Sequence, residues 1–494
     1  MMKISFRPLT LAVGLSLLCQ WSWAQAAELS LAEAIRLAIR QNTGVIITQK
    51  GEAKAEANLR QAKGKDGLSV SLSDRLSASK EDDGSEGAGN TLSVSGSLTL
   101  YNGGKNAAAI ESSKIGTQTA VLTTEREKEN MKLSVSKAYY DVLQSRKTMN
   151  VRQEEVENYA AHYANVEQLY AAGSKAKIDA LRSAVELSNA EQNLIKARTS
   201  YDNNLYALKN LINISPNEPL ELTDDFVYEP FKEPLDECLV YAFAHRRDLA
   251  ADENKLKQRE LDVKIAKAGY LPSVDLNVGA DNSSNFLPSS YSGRGINAGI
   301  SANWNIFDSG VTKATVDAAK VDREVAALTL DKDRENIDLA LRQAYNNMRE
   351  AERRFKSTAD AVGKAREDFF IAREKYRAGE GIMLDVIDAQ VALSQAQLNY
   401  IGAQYDYARY KATVENAMGI PLTAVEKGEA EFTTAEAEAA REFAKSATGR
   451  KIVSDDLAKK SDGSEDDKIT AEKPATVAGK AESDAVVQET AGLQ

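Results

Sequence analysis

The groups in this chain able to do chemistry are few. Asp385 and Asp388 stand three residues apart at the start of a helical run, so their carboxylates share one face. On residue type and position alone they are helix-start carboxylates, favoured by the macrodipole by a few tenths of a kcal/mol each. His162 and His245 are far apart in sequence and suit surface or packing roles better than catalysis. Gly103-Gly104-Lys105 is followed by Asn106 and lacks the earlier glycine of a phosphate-binding loop. No nucleophile triad or metal-ligand cluster is legible, and the sequence predicts neither enzyme activity nor a cofactor or metal.

The composition agrees with this scarcity. In 494 residues there are 62 Lys+Arg against 73 Asp+Glu, a net charge of −11, and 27% of residues are charged while only 6% are aromatic. Many charges and few rings argue for long solvated amphipathic helices rather than one large core. The acidic balance excludes a nucleic-acid partner, which needs clustered positive charge to displace counterions from phosphate.

The N-terminus predicts export. Lys3 and Arg7 precede the apolar stretch Leu9 to Cys19, and Ala24-Gln25-Ala26 supplies a small-x-small cleavage site, so residues 1–26 read as a signal peptide. Leu17 and Leu18 ahead of Cys19 are poor matches to a lipidation signal. Cleavage leaves Cys238 as the one mature cysteine and precludes an internal disulfide. Beyond the signal no apolar run reaches 18 residues, so a transmembrane helix is excluded. A soluble exported protein and a closed β-barrel remain.

The chain then repeats itself. Leu31-Ala-Glu-Ala-Ile35 echoes Leu235-Asp-Glu-Cys-Leu239 at an offset of 204, and Ser69-Val70 matches Ser273-Val274 at the same offset. Leu100-Tyr-Asn-Gly-Gly104 matches Ile306-Phe-Asp-Ser-Gly310 at 206, as Tyr170-Ala-Ala-Gly173 matches Tyr376-Arg-Ala-Gly379. The period is far too long for a solenoid unit. The expected organisation is a first repeat over 27–214, a Pro-rich linker over 215–234, a second repeat over 235–425, and a closing segment with an acidic disordered tail over 426–494.

Each repeat opens with a helical segment, Leu31 to Lys63 or Leu235 to Ala268. A pair of strands follows, in which Leu68, Val70 and Leu72 alternate with serines, as do Leu92, Val94, Leu98 and Leu100. The second pair runs through Val274, Leu276 and Val278, then from Ile296 through Trp304 to Ile306, with polar links over 80–89 and 283–293. Period two over about ten residues gives one apolar and one wet face, at the length a tilted strand needs to cross a bilayer. Four strands cannot seal a barrel alone, so spanning requires several chains to share one.

After each pair comes a long Pro-free stretch. In the second half a stripe runs Ile337, Leu341, Ala344, Met348, Ala351, Phe355, Thr358, Val362, Ala365, Phe369, Ala372, Tyr376, in steps of three and four. That is a coiled-coil seam. Shifted back by 206 it becomes Val135 to Tyr170, with Ser145 and Arg152 as lapses. A helix from Asn106 to Ala171 is about 100 Å long at 1.5 Å per residue. Gly-containing breaks at Gly173-Ser174 and Gly379 to Gly381 then return the chain near Ile178 and Leu384 as antiparallel hairpins.

With this plan, with Ala-Gly-Tyr-Leu-Pro at Ala268 to Pro272, Trp-Asn-Ile-Phe-Asp at Trp304 to Asp308 and Leu-Asp-Val-Ile-Asp-Ala at Leu384 to Ala389, the chain resembles the TolC-type outer-membrane factor family. The resemblance covers nearly the whole chain from the signal to about residue 425. It implies a membrane α+β protein: three protomers with four strands each form a twelve-stranded barrel in the outer membrane, continued by an α-helical tunnel through the periplasm. It implies a passive exit duct for efflux or type I secretion. The implied partners are two further copies of the chain, outer-membrane lipid, a periplasmic adaptor (membrane fusion protein) and an inner-membrane transporter of the RND or ABC class. The rival reading is a soluble periplasmic coiled-coil adaptor or tether.

The resemblance also assigns residues. Asp385 and Asp388 become acidic rings at the periplasmic entrance, attracting cations. Asp179 and Tyr376 match two participants of the family's closed-tip latch, while the arginine usual just after the turn is Gly381 here. Lys175 and Lys177 are the candidates to supply that positive charge. Gly173, Ser174, Gly379 and Gly381 become the turns that meet the adaptor.

Overall fold

The computed structural model describes residues 27–80, 82, 86–287 and 291–421; the signal segment and the closing segment with its acidic tail lie outside them. The described elements run β1 (Ala27–Leu29), α1 (Leu31–Gln41), α2 (Thr43–Lys65), β2 (Ser69–Lys80), β3 (Glu86–Tyr101), α3 (Lys105–Ala171) and α4 (Lys177–Leu211). Then follow β4 (Leu220–Leu222), α5 (Leu235–His245), α6 (Arg247–Lys267), β5 (Ser273–Leu287), β6 (Tyr291–Asn303), α7 (Val311–Ala378) and α8 (Met383–Met418). The second series repeats the first.

The opening helical segment of each repeat is broken, where one continuous helix was expected. Asn42 leaves the helical region with ψ 130°, and its side-chain oxygen caps α2 by accepting from the Gly44 N–H at 2.8 Å. Its amide donates to the Leu211 carbonyl at the end of α4, 2.9 Å away. Arg246 breaks the second segment with ψ 124°, and its guanidinium donates to the Ala417 carbonyl at the end of α8, 2.8 Å away. Both breaks therefore bind the end of the returning helix in their own half, and 417 − 211 again gives the offset of 206.

The four long strands form one antiparallel sheet in the order β2-β3-β5-β6, so β2 and β6 are its edges. Register sorts the residues cleanly. Leu72, Val94, Ala280 and Ile296 line up across the sheet, and the next rung is Ser73, Ser93, Asp281 and Gly295. Over these rungs one face is apolar and the other small and polar; beyond them Asp74, Asn282 and Arg294 fall on the first face and Arg75 on the second. Among the described residues nothing covers the apolar face: Ile296 is 90% exposed and Leu76 77%.

The strands are longer than the alternation alone suggested. β2 and β3 extend to Lys80 and Glu86, β5 and β6 to Leu287 and Tyr291, so the expected links over 80–89 and 283–293 contribute to the ladders. Polar Ser and Gly pairs carry a ladder as well as apolar ones, because its hydrogen bonds are made by backbone. In the other direction β6 stops at Asn303. Trp304, placed on the strand by its alternation, instead donates from Nε1 to the Tyr270 carbonyl at 3.0 Å. Asp308 turns the chain into α7 by accepting from the N–H groups of Gly310 and Thr312, at 3.1 and 2.7 Å. At this end of the sheet Tyr101, Tyr270, Trp304 and Phe307 are all exposed, a cluster of the rings that favour membrane interfaces.

The helices behave as the seam requires. α3 pairs with α4 and α7 with α8 as antiparallel hairpins, and α3 also contacts α8. Ile337, Leu341, Ala344, Met348, Ala351 and Tyr376 are buried, and the seam residues between Ala351 and Tyr376 are half-buried. Burying each Ile or Leu contributes about 1.5–3 kcal/mol. Ser145, a polar lapse in the stripe, is buried too; its hydroxyl donates to the carbonyls of Asp141 and Val142 at 2.8 and 3.0 Å.

The principal core gathers Ile35, Val45, Val135, Tyr139, Leu143, Leu208 and Tyr405, where α1, α3, α4 and α8 meet. The Pro-rich join between the repeats is laid against it. β4 pairs in parallel with β1, while the rings of Phe226, edge-on, and Tyr228, tilted, pack against Phe355 with centroids 5.7 and 5.5 Å away. Tyr228 donates to Glu352 at 2.6 Å, and Lys356 and Arg349 donate to the same carboxylate at 2.9 and 3.0 Å. Burial pushes the Glu352 carboxyl up, but these three donors outweigh it and bring its pKa down to about 2.

Candidate functional site at the helical tip

The two hairpins end in similar turns. Gly173 adopts φ 74°; its N–H donates to the Tyr170 carbonyl at 2.9 Å and the Ser174 N–H to that of Leu169 at 2.8 Å. Gly379 adopts φ 80°; its N–H donates to Tyr376 at 3.1 Å and the Glu380 N–H to Lys375 at 2.9 Å. This is the left-handed glycine cap that satisfies the last carbonyls of a helix. Gly381 adds a third bond, from its N–H to the Lys375 carbonyl at 3.1 Å. A Cβ there would lie 3.0 Å from the Tyr376 nitrogen and 3.2 Å from the Lys375 carbonyl carbon. A side chain at position 381 would need this backbone to give by a few tenths of an ångström.

Tyr376 anchors the space behind these turns. It is 3% exposed and packs with Val166, Met383 and Val386. Lys175 Nζ lies 4.4 Å from the centre of its ring, a cation–π contact between the hairpins, and the His162 ring lies 5.3 Å away on the other hairpin. Burial raises the Tyr376 hydroxyl above its ordinary pKa, and the charge of Asp179 in the first turn of α4 raises it further. No hydrogen bond joins the two, and the Tyr376 hydroxyl has no partner among the described residues. The structure therefore brings Asp179, Tyr376 and Lys175 together without closing the expected latch. Lys177 opens α4 and is exposed.

Asp385 and Asp388 share the exposed face of α8, while Met383, Val386, Ala389 and Gln390 take its buried face. The two carboxylates point away from the hairpin core. Among described residues no group of three or more His, Cys, Asp or Glu is placed to hold a metal ion. Cys238 is buried, and desolvation, with Glu233 and Glu237 nearby, pushes its thiol up to about 12.

Sequence reasoning left His162 as a surface or packing residue, yet it stands at the centre of this region. Its Nε2 lies 3.4 Å from Met383 Sδ, and burial pulls its pKa below the ordinary value. It borders a cavity of about 70 Å³ between the hairpins, lined also by Tyr159, Arg373, Tyr376, Arg377 and Gln390. Gln390 Oε1 is buried there without a partner, as the Tyr376 hydroxyl is. The available signal was position: His162 falls three residues after Tyr159 and four before Val166, both seam positions.

Comparison with known proteins places this arrangement. The family model described as "Outer membrane efflux protein" matches residues 34–213 and 239–420. The outer membrane protein TolC of Escherichia coli is 24% identical over 319 residues, 60% of this chain and 63% of that protein. The alkaline protease secretion protein AprF of Pseudomonas aeruginosa is 25% identical over 311 residues, 59% of this chain and 62% of that protein. The chain thus spans a little under two thirds of the length of these curated relatives. The outer membrane protein VceC of Vibrio cholerae superposes with a TM-score of 0.68 at 18% identity, covering 79% of this chain and 96% of that one, a likeness of fold.

Proposed function

Because the chain belongs to the outer membrane efflux protein family, with its place in the outer membrane, we propose that three copies assemble into a passive exit duct. The observation that carries this reading is the apolar face of a sheet that no described residue covers and whose two edges, β2 and β6, have no neighbour among the described residues. Lipid covers such a face, and strands of other copies remove such edges. Three copies of four strands give twelve, and the polar face then lines a watery lumen. A soluble tether leaves both features without cover.

In this reading the helical hairpins extend the lumen into the periplasm. Asp385 and Asp388, on the exposed face of α8, form the acidic entrance rings. The turns at Gly173-Ser174 and Gly379 to Gly381 meet a periplasmic adaptor, which biases the tip between closed and open arrangements. An inner-membrane transporter of the RND or ABC class supplies the driving force and the chemical selectivity.

The test is biochemical. The purified chain is expected to need detergent or lipid, to cross-link as a trimer, and to give discrete conductance steps in planar bilayers. A monomer that stays in solution without amphiphile, and gives no steps, would rule out the duct.

A further inference from the structure

We propose that the central rungs of the sheet's polar face are built to keep their side chains flat, so that Gly279 and Gly295 hold the bore of the barrel open at those rungs. The inference rests on the duct reading above.

Along β5 and β6, four successive pairs on the polar face each join one glycine to one polar residue. They are Asn277 with Gly299, Gly279 with Asn297, Asp281 with Gly295, and Ser283 with Gly293. In the two central pairs the polar side chain occupies the space a Cβ would take. A Cβ on Gly279 would lie 2.4 Å from Asn297 Oδ1, and one on Gly295 2.6 Å from Asp281 Oδ1. Each side chain therefore lies down over its neighbour instead of standing into the lumen. β2 and β3 reach the same end differently: the Ser71 and Ser95 hydroxyls lie 2.7 Å apart, and those of Ser73 and Ser93 2.8 Å. Short hydroxyls that bond sideways also stay low, and the long side chain of this face, Arg75, lies outside these rungs, opposite Thr91.

Twelve strands about 4.8 Å apart, tilted about 40°, enclose a backbone radius of about 12 Å. Side chains standing from the wall take several ångströms of that radius, so their posture decides what passes. A Gly-to-Phe change displaces only the tip of Asn297 or Asp281, and the ring then points into the lumen. A low, hydrated wall without aromatic grips in its central rungs suits bulky, water-carrying cargo.

The experiment is polymer exclusion in planar bilayers, with polyethylene glycols of graded size added to the barrel side or to the helical side. The double variant Gly279→Phe/Gly295→Phe is expected to lower the largest polymer admitted from the barrel side by about two-fold in mass, with access from the helical side unchanged. Asn297→Ala is expected to leave the barrel-side limit as it is, because a side chain already lying flat takes no bore. An unchanged limit in the double variant, or a widened one in Asn297→Ala, would overturn the proposal while leaving the duct intact. Absence of any channel in the unmodified trimer would instead remove the duct reading itself, and this inference with it.

Discussion

At the level of single residues, the tip turns on what Tyr376 and His162 lack. The Tyr376 hydroxyl is buried with no partner, an arrangement that costs about 1–3 kcal/mol and weakens the closed packing. If Asp179 and Lys175 nevertheless hold the hairpins together through this ring, Asp179→Ala with Tyr376→Ala, which removes the ring itself, raises single-channel conductance; unchanged conductance removes Asp179 and Tyr376 from the latch. His162 gives a pH dependence of defined sign. Packed in the tip, its pKa is depressed by burial, and around the cavity it faces Arg373, Arg377 and Tyr376 but no carboxylate. Separation of the hairpins returns the ring to about 6.5, so the separated state binds more protons below that pH. Acidification from pH 7 towards 5 is therefore expected to favour opening and raise conductance, and His162→Asn to flatten that response. His162 is hard to read from sequence, because it meets Tyr376 across some 200 residues, whereas Lys175 already stands as a candidate for the positive charge at this tip. The acidic pair was easier: Asp385 and Asp388 share their exposed face through helix spacing alone.

At the level of elements, period carried most of the information. Steps of three and four marked the seams of α3 and α7 to within a few residues, since so long a stripe leaves no other geometry. Period two found all four strands but undervalued their ends, where Ser and Gly continue the ladder without an apolar partner. The helix breaks at Asn42 and Arg246 are hidden in the sequence because the apolar pattern runs through them; what fixes them are long-range bonds to Leu211 and Ala417. The join between α3, α6 and α8 was equally invisible. There Glu129, 2% exposed, accepts from Arg126 at 2.9 Å and from Arg247, while Arg126 also donates to the Asn416 carbonyl at 3.0 Å. Glu129→Ala removes the buried acceptor shared by Arg126 and Arg247, while Arg126 keeps Asp248 at 3.4 Å, and is expected to lower stability by about 1.5–3 kcal/mol, read as a fall in thermal midpoint in detergent. Glu125→Ala, which removes the partially exposed pair with Lys128, should cost under about 1 kcal/mol.

At the level of the whole molecule, the free edges of β2 and β6 make membrane insertion a matter of molecularity. A lone chain cannot enter hydrocarbon, because unpaired backbone groups at those edges cost several kcal/mol each there. The barrier to insertion is therefore crossed by an encounter complex and not by an isolated polypeptide. Refolding into preformed vesicles should then follow a rate law steeper than first order in chain concentration, and strictly unimolecular kinetics would contradict it. On the proposed trimeric reading, dilution of the chains thus stalls biogenesis upstream of the bilayer, leaving intermediates exposed to proteases for as long as they wait for two companions.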